Sequence, residues 1–359
     1  VDSPVPGVAQ VGVTPMALRR TSQRNLSRSD HERLLLVKSM STTAELDAAM
    51  PHSTRRSSAL FNFNVPGDMD QEDAEDVLME ANRSPMPKFP QGAKLGTHLN
   101  CYSEPDPSNF HVRGAKYLSD RKKFPSGDFI FPIRGVDLFL TDTCPENAGS
   151  NRGVFGGNLR EKPTFIINFR LPWGVLLAYF EIPERFIPFI KACYDPAFDK
   201  SSLPSLKGMS PSDRCVARYL QASDKKKDQV LKIVPIVVEG PWIVKTTVGG
   251  KPAILGTKLP VTYIYQPAEK GKALYLEADL DIVSSSAARG ILSVARAYTQ
   301  VLTLDLGFVV QGNTDDELPE QMLVGTRLHG IDPISAPPFP PSKDVFFRSA
   351  DITDSEESL

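Results

Sequence analysis

The sequence predicts an α+β fold, a curved antiparallel sheet packed on one long C-terminal helix, with extended N- and C-terminal tails. Three observations predict it. Between Leu231 and Val283, four β-rich segments (231–238, 242–248, 259–265 and 273–283) are separated by turns too short for a parallel crossover. The last of them alternates strictly: Tyr275, Glu277, Asp279 and Asp281 point one way, while Leu274, Leu276, Ala278, Leu280 and Ile282 point the other. Beyond it, Ser284-Ser285-Ser286 caps a segment whose apolar positions Ile291, Val294, Tyr298, Val301, Leu302 and Phe308 recur at helical spacing up to Gln311, with Gly312 closing it. At ~1.5 Å per residue that helix is ~40 Å long, enough to cross a sheet.

Taken in order, residues 1–98 read as a low-complexity extension. Scattered proline, serine and arginine bury too little apolar surface to offset chain entropy. Two short helices interrupt it, one capped by Ser29-Asp30 and one over Gln71–Ala81; each needs a domain or a partner to dock on. Ser84–Gly92, with three prolines, reads as a linker. The body runs over 99–332. Phe129–Leu140 is β-rich, and four glycines in Gly149–Gly157 mark a mobile loop. Thr164–Phe169 and Val175–Ile182 make a hairpin through Leu171-Pro172-Trp173-Gly174. Pro183 opens a short helix. Ser210 caps another, with Pro211 in its first turn and Val216, Tyr219 and Leu220 on its buried face. Met322–Leu328 is a last strand. Residues 333–359 form a tail that is proline-rich and then acidic.

The chain has 359 residues, 41% hydrophobic and 23% charged, as globular chains do, and its net charge of −2 provides no global field for nucleic acid. It begins at Val1, as a truncated or processed chain does, and its first residues form no secretory apolar region. No apolar run reaches 18 residues, so no spanning helix is expected. Four cysteines without a CxxC pair fit free thiols in a reducing compartment. An intracellular protein, cytoplasmic or peripheral on a membrane, is the expectation. The basic runs Arg121-Lys122-Lys123 and Lys225-Lys226-Lys227 read as solvated loops or as contacts to anionic headgroups, at about 1 kcal/mol per basic residue. Hydroxyls follow paired arginines at Thr21, Ser22, Ser57 and Ser58, where phosphorylation replaces positive charge with about −2.

HExxH, GxSxG, GxxxxGK[ST] and a post-strand GxGxxG do not occur, and His98, His111 and His329 sit in no recognised spacing with a carboxylate. No catalytic residue, cofactor or metal is expected. Glu277, Asp279 and Asp281 read as a solvated or salt-bridged sheet face, or as part of a cation site that needs further loop ligands. Trp242, just after the Glu239-Gly240-Pro241 turn, reads as core packing or as the wall of a pocket.

Several blocks, in order, carry a family resemblance. They are Phe110–Gly114 (FHVRG) with Tyr117–Asp120 (YLSD), Phe165–Phe169 (FIINF), Ile233–Lys245 (IVPIVVEGPWIVK) and Val248–Gly256 (VGGKPAILG). Tyr275–Asp281 (YLEADLD), Ser284–Ser286, Asp305–Phe308 (DLGF) and Glu317–Glu320 (ELPE) continue the series. From about Asn100 to Asp332 the chain resembles the C-terminal domain of the plant Enhanced Disease Resistance proteins. In that family the domain follows a PH domain and a START lipid-binding domain, and the proteins are associated with membranes and phosphoinositides. The resemblance therefore implies lipid or membrane-surface binding. A sheet curled on a long helix resembles the START-like helix grip, which leaves an apolar cavity between them. Its candidate lining is Trp173, Phe180, Trp242, Tyr263, Tyr298 and Phe308; Arg113, Lys116 and Lys245 are candidate anion contacts. The alternative is an adaptor subunit with a filled core, docked on a protein partner through its tails.

Overall fold

The computed structural model describes residues 85–341, apart from 249–251 and 270 and the side chains of 287, 291 and 294. The two short N-terminal helices, the Gly249-Gly250 turn and the hydroxyls at Thr21, Ser22, Ser57 and Ser58 lie outside the described residues.

The body is α+β and contains two five-stranded sheets. The first joins, in spatial order, β1 (Cys101–Ser103), β12 (Met322–His329), β11 (Thr303–Val310), β7 (Leu231–Glu239) and β8 (Ala253–Ile254), all antiparallel. The second joins β4 (Ile133–Leu140), β6 (Gly174–Glu181), β5 (Thr164–Leu171), β10 (Tyr275–Asp281) and β9 (Val261–Gln266). Its β5–β6 pair is the hairpin read from the sequence, with Leu171 opposite Gly174. A small hairpin of β2 (His111–Arg113) and β3 (Lys123–Pro125) pairs with neither sheet, though Val112 packs on the first.

The sheets face each other across one core. Phe165, Ile167, Phe169, Ala178, Phe180 and Leu276 come from one side; Leu231, Leu306, Phe308 and Val324 come from the other. The rings of Phe169 and Phe308 lie 6.0 Å apart between them. Helices α1 (Ile187–Tyr194) and α2 (Pro211–Leu220) add Phe189, Ile190, Val216 and Leu220 to this core. Ser210 caps α2 through the Asp213 N–H at 3.0 Å, as the Ser-Pro start predicts. Two further helices, α3 (Trp242–Val248) and α4 (Ser286–Arg296), pack on each other.

Four expectations are corrected. The helix that starts at Ser286 ends at Arg296, and Thr303–Val310 is strand β11. Leu304, Leu306, Phe308 and Val310 face the core, while Thr303, Asp305 and Gly307 face away: a period of two that its apolar content conceals. Residues 284–311 therefore form no long helix across a curved sheet. Trp242–Val248 is helix α3, not a strand, so the run of four antiparallel neighbours breaks: β7 pairs with β11 and β8, while β9 and β10 belong to the other sheet. Strand β10 also lies parallel to β5, across the long connection that parallel pairing requires. Its acidic face is not solvated, for Glu277 and Asp279 are as buried as Leu276 and Leu280. The glycine-rich segment after Ala148 is packed: Ala148, Val154, Phe155 and Leu159 cover the second face of β5, β6 and β10.

The tail boundaries move as well. Met86 N–H bonds to the Val136 carbonyl at 3.2 Å, and Phe89 N–H to the Tyr102 carbonyl at 2.7 Å. The segment read as a linker is thus a strap from β1 to β4, with Met86 in the core and the Phe89 ring 3.9 Å from His329. The Pro337 carbonyl and the Phe339 N–H likewise bond to Leu140 on the β4 edge.

A chain beginning at residue 91 loses the strap and is predicted to melt at a lower temperature than one beginning at residue 85. Met86→Ala alone should cost about 2 kcal/mol, the lower part of the range for a buried methionine. Thermal unfolding followed by circular dichroism checks both, and equal melting points for the two chains would show the strap to be idle.

Candidate functional site

Residues 240–268 and 282–304 contain no aspartate or glutamate, yet they carry Lys245, Lys251, Lys258, Arg289 and Arg296. The fold brings these two windows together as α3, α4 and their flanks. Gly240, at φ +148°, breaks β7, and a Cβ there would meet Leu302 Cδ2 at 2.2 Å. Pro241 then starts α3, its carbonyl accepting from Val244 and Lys245 N–H. The β-branched residues that suggest a strand are accommodated by threonine back-bonding: Thr247 Oγ1 donates to the Ile243 carbonyl at 2.7 Å. Only Val244 of α3 is buried. Trp242 is 77% exposed and Ile243 49%. Val301, 54% exposed, follows α4 at the same end of the first sheet, where Thr303 pairs with Glu239.

Helix α4 is capped by Ser285, whose Oγ accepts the Ala288 N–H at 3.2 Å and donates to the Lys258 carbonyl at 2.8 Å. That links the 255–258 turn to α4. Lys245, Lys258, Arg289 and Arg296 are all exposed. This end of the molecule therefore presents an aromatic ring and two aliphatic side chains with the exposed cations Lys245 and Arg296, whereas the turn that carries Lys258 packs on Asp228, before the start of β7.

The sequence-read site residues divide among three places. Trp242 and Lys245 share α3, and half-buried Tyr298 closes the turn after α4. Phe180, Tyr263 and Phe308 are core, and Trp173 packs against the core from the hairpin turn. Arg113 and exposed Lys116 lie at the far end of β11, where Arg113 Nη1 bonds to the Gly312 carbonyl at 2.8 Å. The guanidinium also stacks 4.7 Å from the Tyr117 ring centre and 3.5 Å from Glu320. Its polar valences are largely committed to the fold. A concavity of about 410 Å³ opens there, with Arg113, Phe124, Pro125 and Pro319 in its wall. The residues that sequence reasoning missed are Ile243, Lys258, Arg289, Arg296 and Val301; the two acid-free windows were the signal that marks them.

Several buried carboxylates elsewhere are tied down. Glu277 accepts the N–H groups of Ala148 and Gly149 at 2.9 Å each, and Asp279 accepts Asn147 N–H at 2.9 Å and Asn168 Nδ2 at 2.9 Å. A Cβ on Gly149 would lie 2.8 Å from the Glu277 carboxylate, so close approach requires glycine there. Glu320 accepts Gly312 N–H at 3.0 Å and neighbours Lys232 at 3.4 Å, whose pKa burial pushes down. Ser103 Oγ lies 2.8 Å from His329 Nε2, but burial and Arg327 push that imidazole down to about 4, and its Nδ1 has no hydrogen-bond partner. An orienting carboxylate, as a nucleophilic dyad uses, is not in place at Nδ1.

The profile of the family described as "Protein ENHANCED DISEASE RESISTANCE 2, C-terminal" matches residues 102–332. The chain belongs to this family. A relative from Arabidopsis thaliana, "Protein ENHANCED DISEASE RESISTANCE 2-like", is 27% identical over 241 residues, covering 66% of this chain and 29% of the relative. The chain thus spans under a third of that relative's length. No solved structure matches it. Among the described residues, no helix is long and apolar enough to cross a membrane.

The acid pair generates a prediction. Burial, and then the neighbouring Asp279, push the Glu277 carboxyl well above its usual range. A raised folded value means that the native state holds this proton more tightly than the unfolded chain. The contribution is therefore full below the unfolded value and is lost as pH rises through the folded one. Raising the pH from about 5 to about 8 should lower the melting temperature more in the wild type than in Glu277→Gln, which cannot ionise. Parallel pH profiles in the two proteins would sink this assignment.

Proposed function

We propose that this domain is a non-catalytic, peripheral module that docks on anionic membrane surfaces through the end built by α3 and α4. The observation that carries the reading is Trp242, exposed beside Ile243 and Lys245 on α3, with exposed Val301 and Arg296 where α4 ends. An indole favours the headgroup boundary, where its apolar body and its N–H are both satisfied. Cations around it meet the negative surface potential, at about 1 kcal/mol each. The family resemblance, with its lipid-binding neighbours, points the same way. The ligand in this reading is the bilayer surface, not a lipid enclosed between sheet and helix. The residues expected to line such a cavity, Phe180, Tyr263 and Phe308, fill the core instead.

Vesicle co-sedimentation tests it. The chain should bind phosphatidylcholine vesicles containing phosphatidylserine and ignore pure phosphatidylcholine. Each of Lys245→Ala, Arg289→Ala and Arg296→Ala should weaken binding about fivefold, the equivalent of about 1 kcal/mol. Trp242→Ala should weaken it further without changing the melting temperature, and added salt should release the protein. Equal binding to both vesicle types, or full binding by Trp242→Ala, would refute the proposal.

One observation favours the adaptor as a second reading: the concavity at the opposite end, beside exposed Phe124 and Leu118. Phe124→Ser should then abolish capture of a protein partner while leaving vesicle binding intact.

A further inference from the structure

Lys227 is wholly buried, at the end of the helical turn Asp224–Lys227. Its ammonium nitrogen lies 4.5 Å from the ring centre of Tyr194 and 5.6 Å from that of Tyr263. It donates to the Ala222 carbonyl and stands 3.4 Å from the Asp224 carboxylate. Cys193, in the last turn of α1, donates to the same Ala222 carbonyl at 3.1 Å. The shared acceptor holds the Cys193 sulfur 3.4 Å from Lys227 Nζ. Cys193 is partly exposed, so a small oxidant reaches it from solvent. Burial raises the thiol pKa of Cys101 and Cys144, and pushes Cys215 up to about 12. The thiolate is the form that attacks peroxide, so those three sites are disfavoured.

We propose that Cys193 and Lys227 form a redox modification site, at which hydrogen peroxide drives a covalent bond between Sγ and Nζ. In the first step the Cys193 thiolate attacks peroxide: the O–O bond breaks, an S–O bond forms, and the departing hydroxide takes a proton from the Lys227 ammonium and leaves as water, giving a sulfenic acid beside a neutral amine. In the second, the lone pair of the neutral amine attacks that sulfur. The N–S bond forms, the S–O bond breaks, and the departing hydroxide takes an amine proton and leaves as water. One peroxide is reduced to two waters, and the protein loses two hydrogens. The bond pins α1 to the 224–227 turn and closes a loop across α2 (Pro211–Leu220), which restricts the unfolded chain. This site does not depend on the membrane reading.

The test uses the full chain, treated with hydrogen peroxide, digested and analysed by mass spectrometry. The expected product joins the peptides of Cys193 and Lys227 and is about 2 Da lighter than their sum. Dithiothreitol should split it, and the oxidised protein should melt at a higher temperature than the reduced one. Cys193→Ser and Lys227→Arg should each lose the product. If either variant melts abnormally, the wild-type time course decides. Peroxide that takes Cys193 to sulfinic acid or into a disulfide, or leaves its thiol titratable, while Lys227 stays free to an acylating reagent after unfolding, overturns the proposal.

Discussion

Strands β5, β6, β10, β11 and β12 bury both of their faces, and most of the architecture follows from that demand. One face of each meets the other sheet at a shared core, where Phe169 and Phe308 touch. The remaining faces need separate covers. The segment from Ala148 to Leu159 closes over β5, β6 and β10, and Phe110 and Val112 close over β7, β11 and β12. A cover that lies on backbone and charged side chains must satisfy them, because an unpaired buried polar group costs about 1–3 kcal/mol. Glu277 and Asp279 therefore bond to the amides of the loop above them, and Asp305 pairs with Arg327 across the β11–β12 ladder. Loops and straps are as much a part of this fold as the strands.

That demand also explains which parts were legible in the sequence. The β5–β6 hairpin and the Ser210-Pro211 helix start are local devices, set by turn and cap chemistry a few residues long. Strand β11 was hidden because its leucines and Phe308 also fit a helical stripe, and no local signal announces that Asp305 will find Arg327. The acidic side of β10 read as solvated because alternation reports which residues share a face, not whether that face is covered. The cover comes from residues 147–155, far away in sequence. The mixed topology of the second sheet is likewise non-local, since β10 lies parallel to a strand more than a hundred residues earlier.

At the α3–α4 end the split was different. Trp242 and Lys245 stood out singly, but the cavity imagined around them required a helix that the chain does not form. The acid-free windows at 240–268 and 282–304 were visible throughout, yet their meaning needed the packing of α3 on α4. Arg113 shows the converse. It has the right residue type for an anion contact, and the fold uses it against Glu320 and the Gly312 carbonyl instead.

The ends of the sheets escape the covering demand, and the behaviour of α3 is informative there. Seven residues with one buried side chain make a weak helix, and its valine, isoleucine and threonines are poor helix formers. Turn chemistry at Gly240-Pro241 and packing on α4 hold it against that preference. As a strand, the same residues would alternate and turn Trp242 and Val244 to one face. As a helix, they bury Val244 and leave Trp242 and Ile243 outward beside Lys245. A segment that works against its own propensity and exposes its largest apolar side chain is where a local rule yields to function. Exposure of Trp242 contributes nothing to the packing of this fold, which is why the proposed docking surface is centred on it.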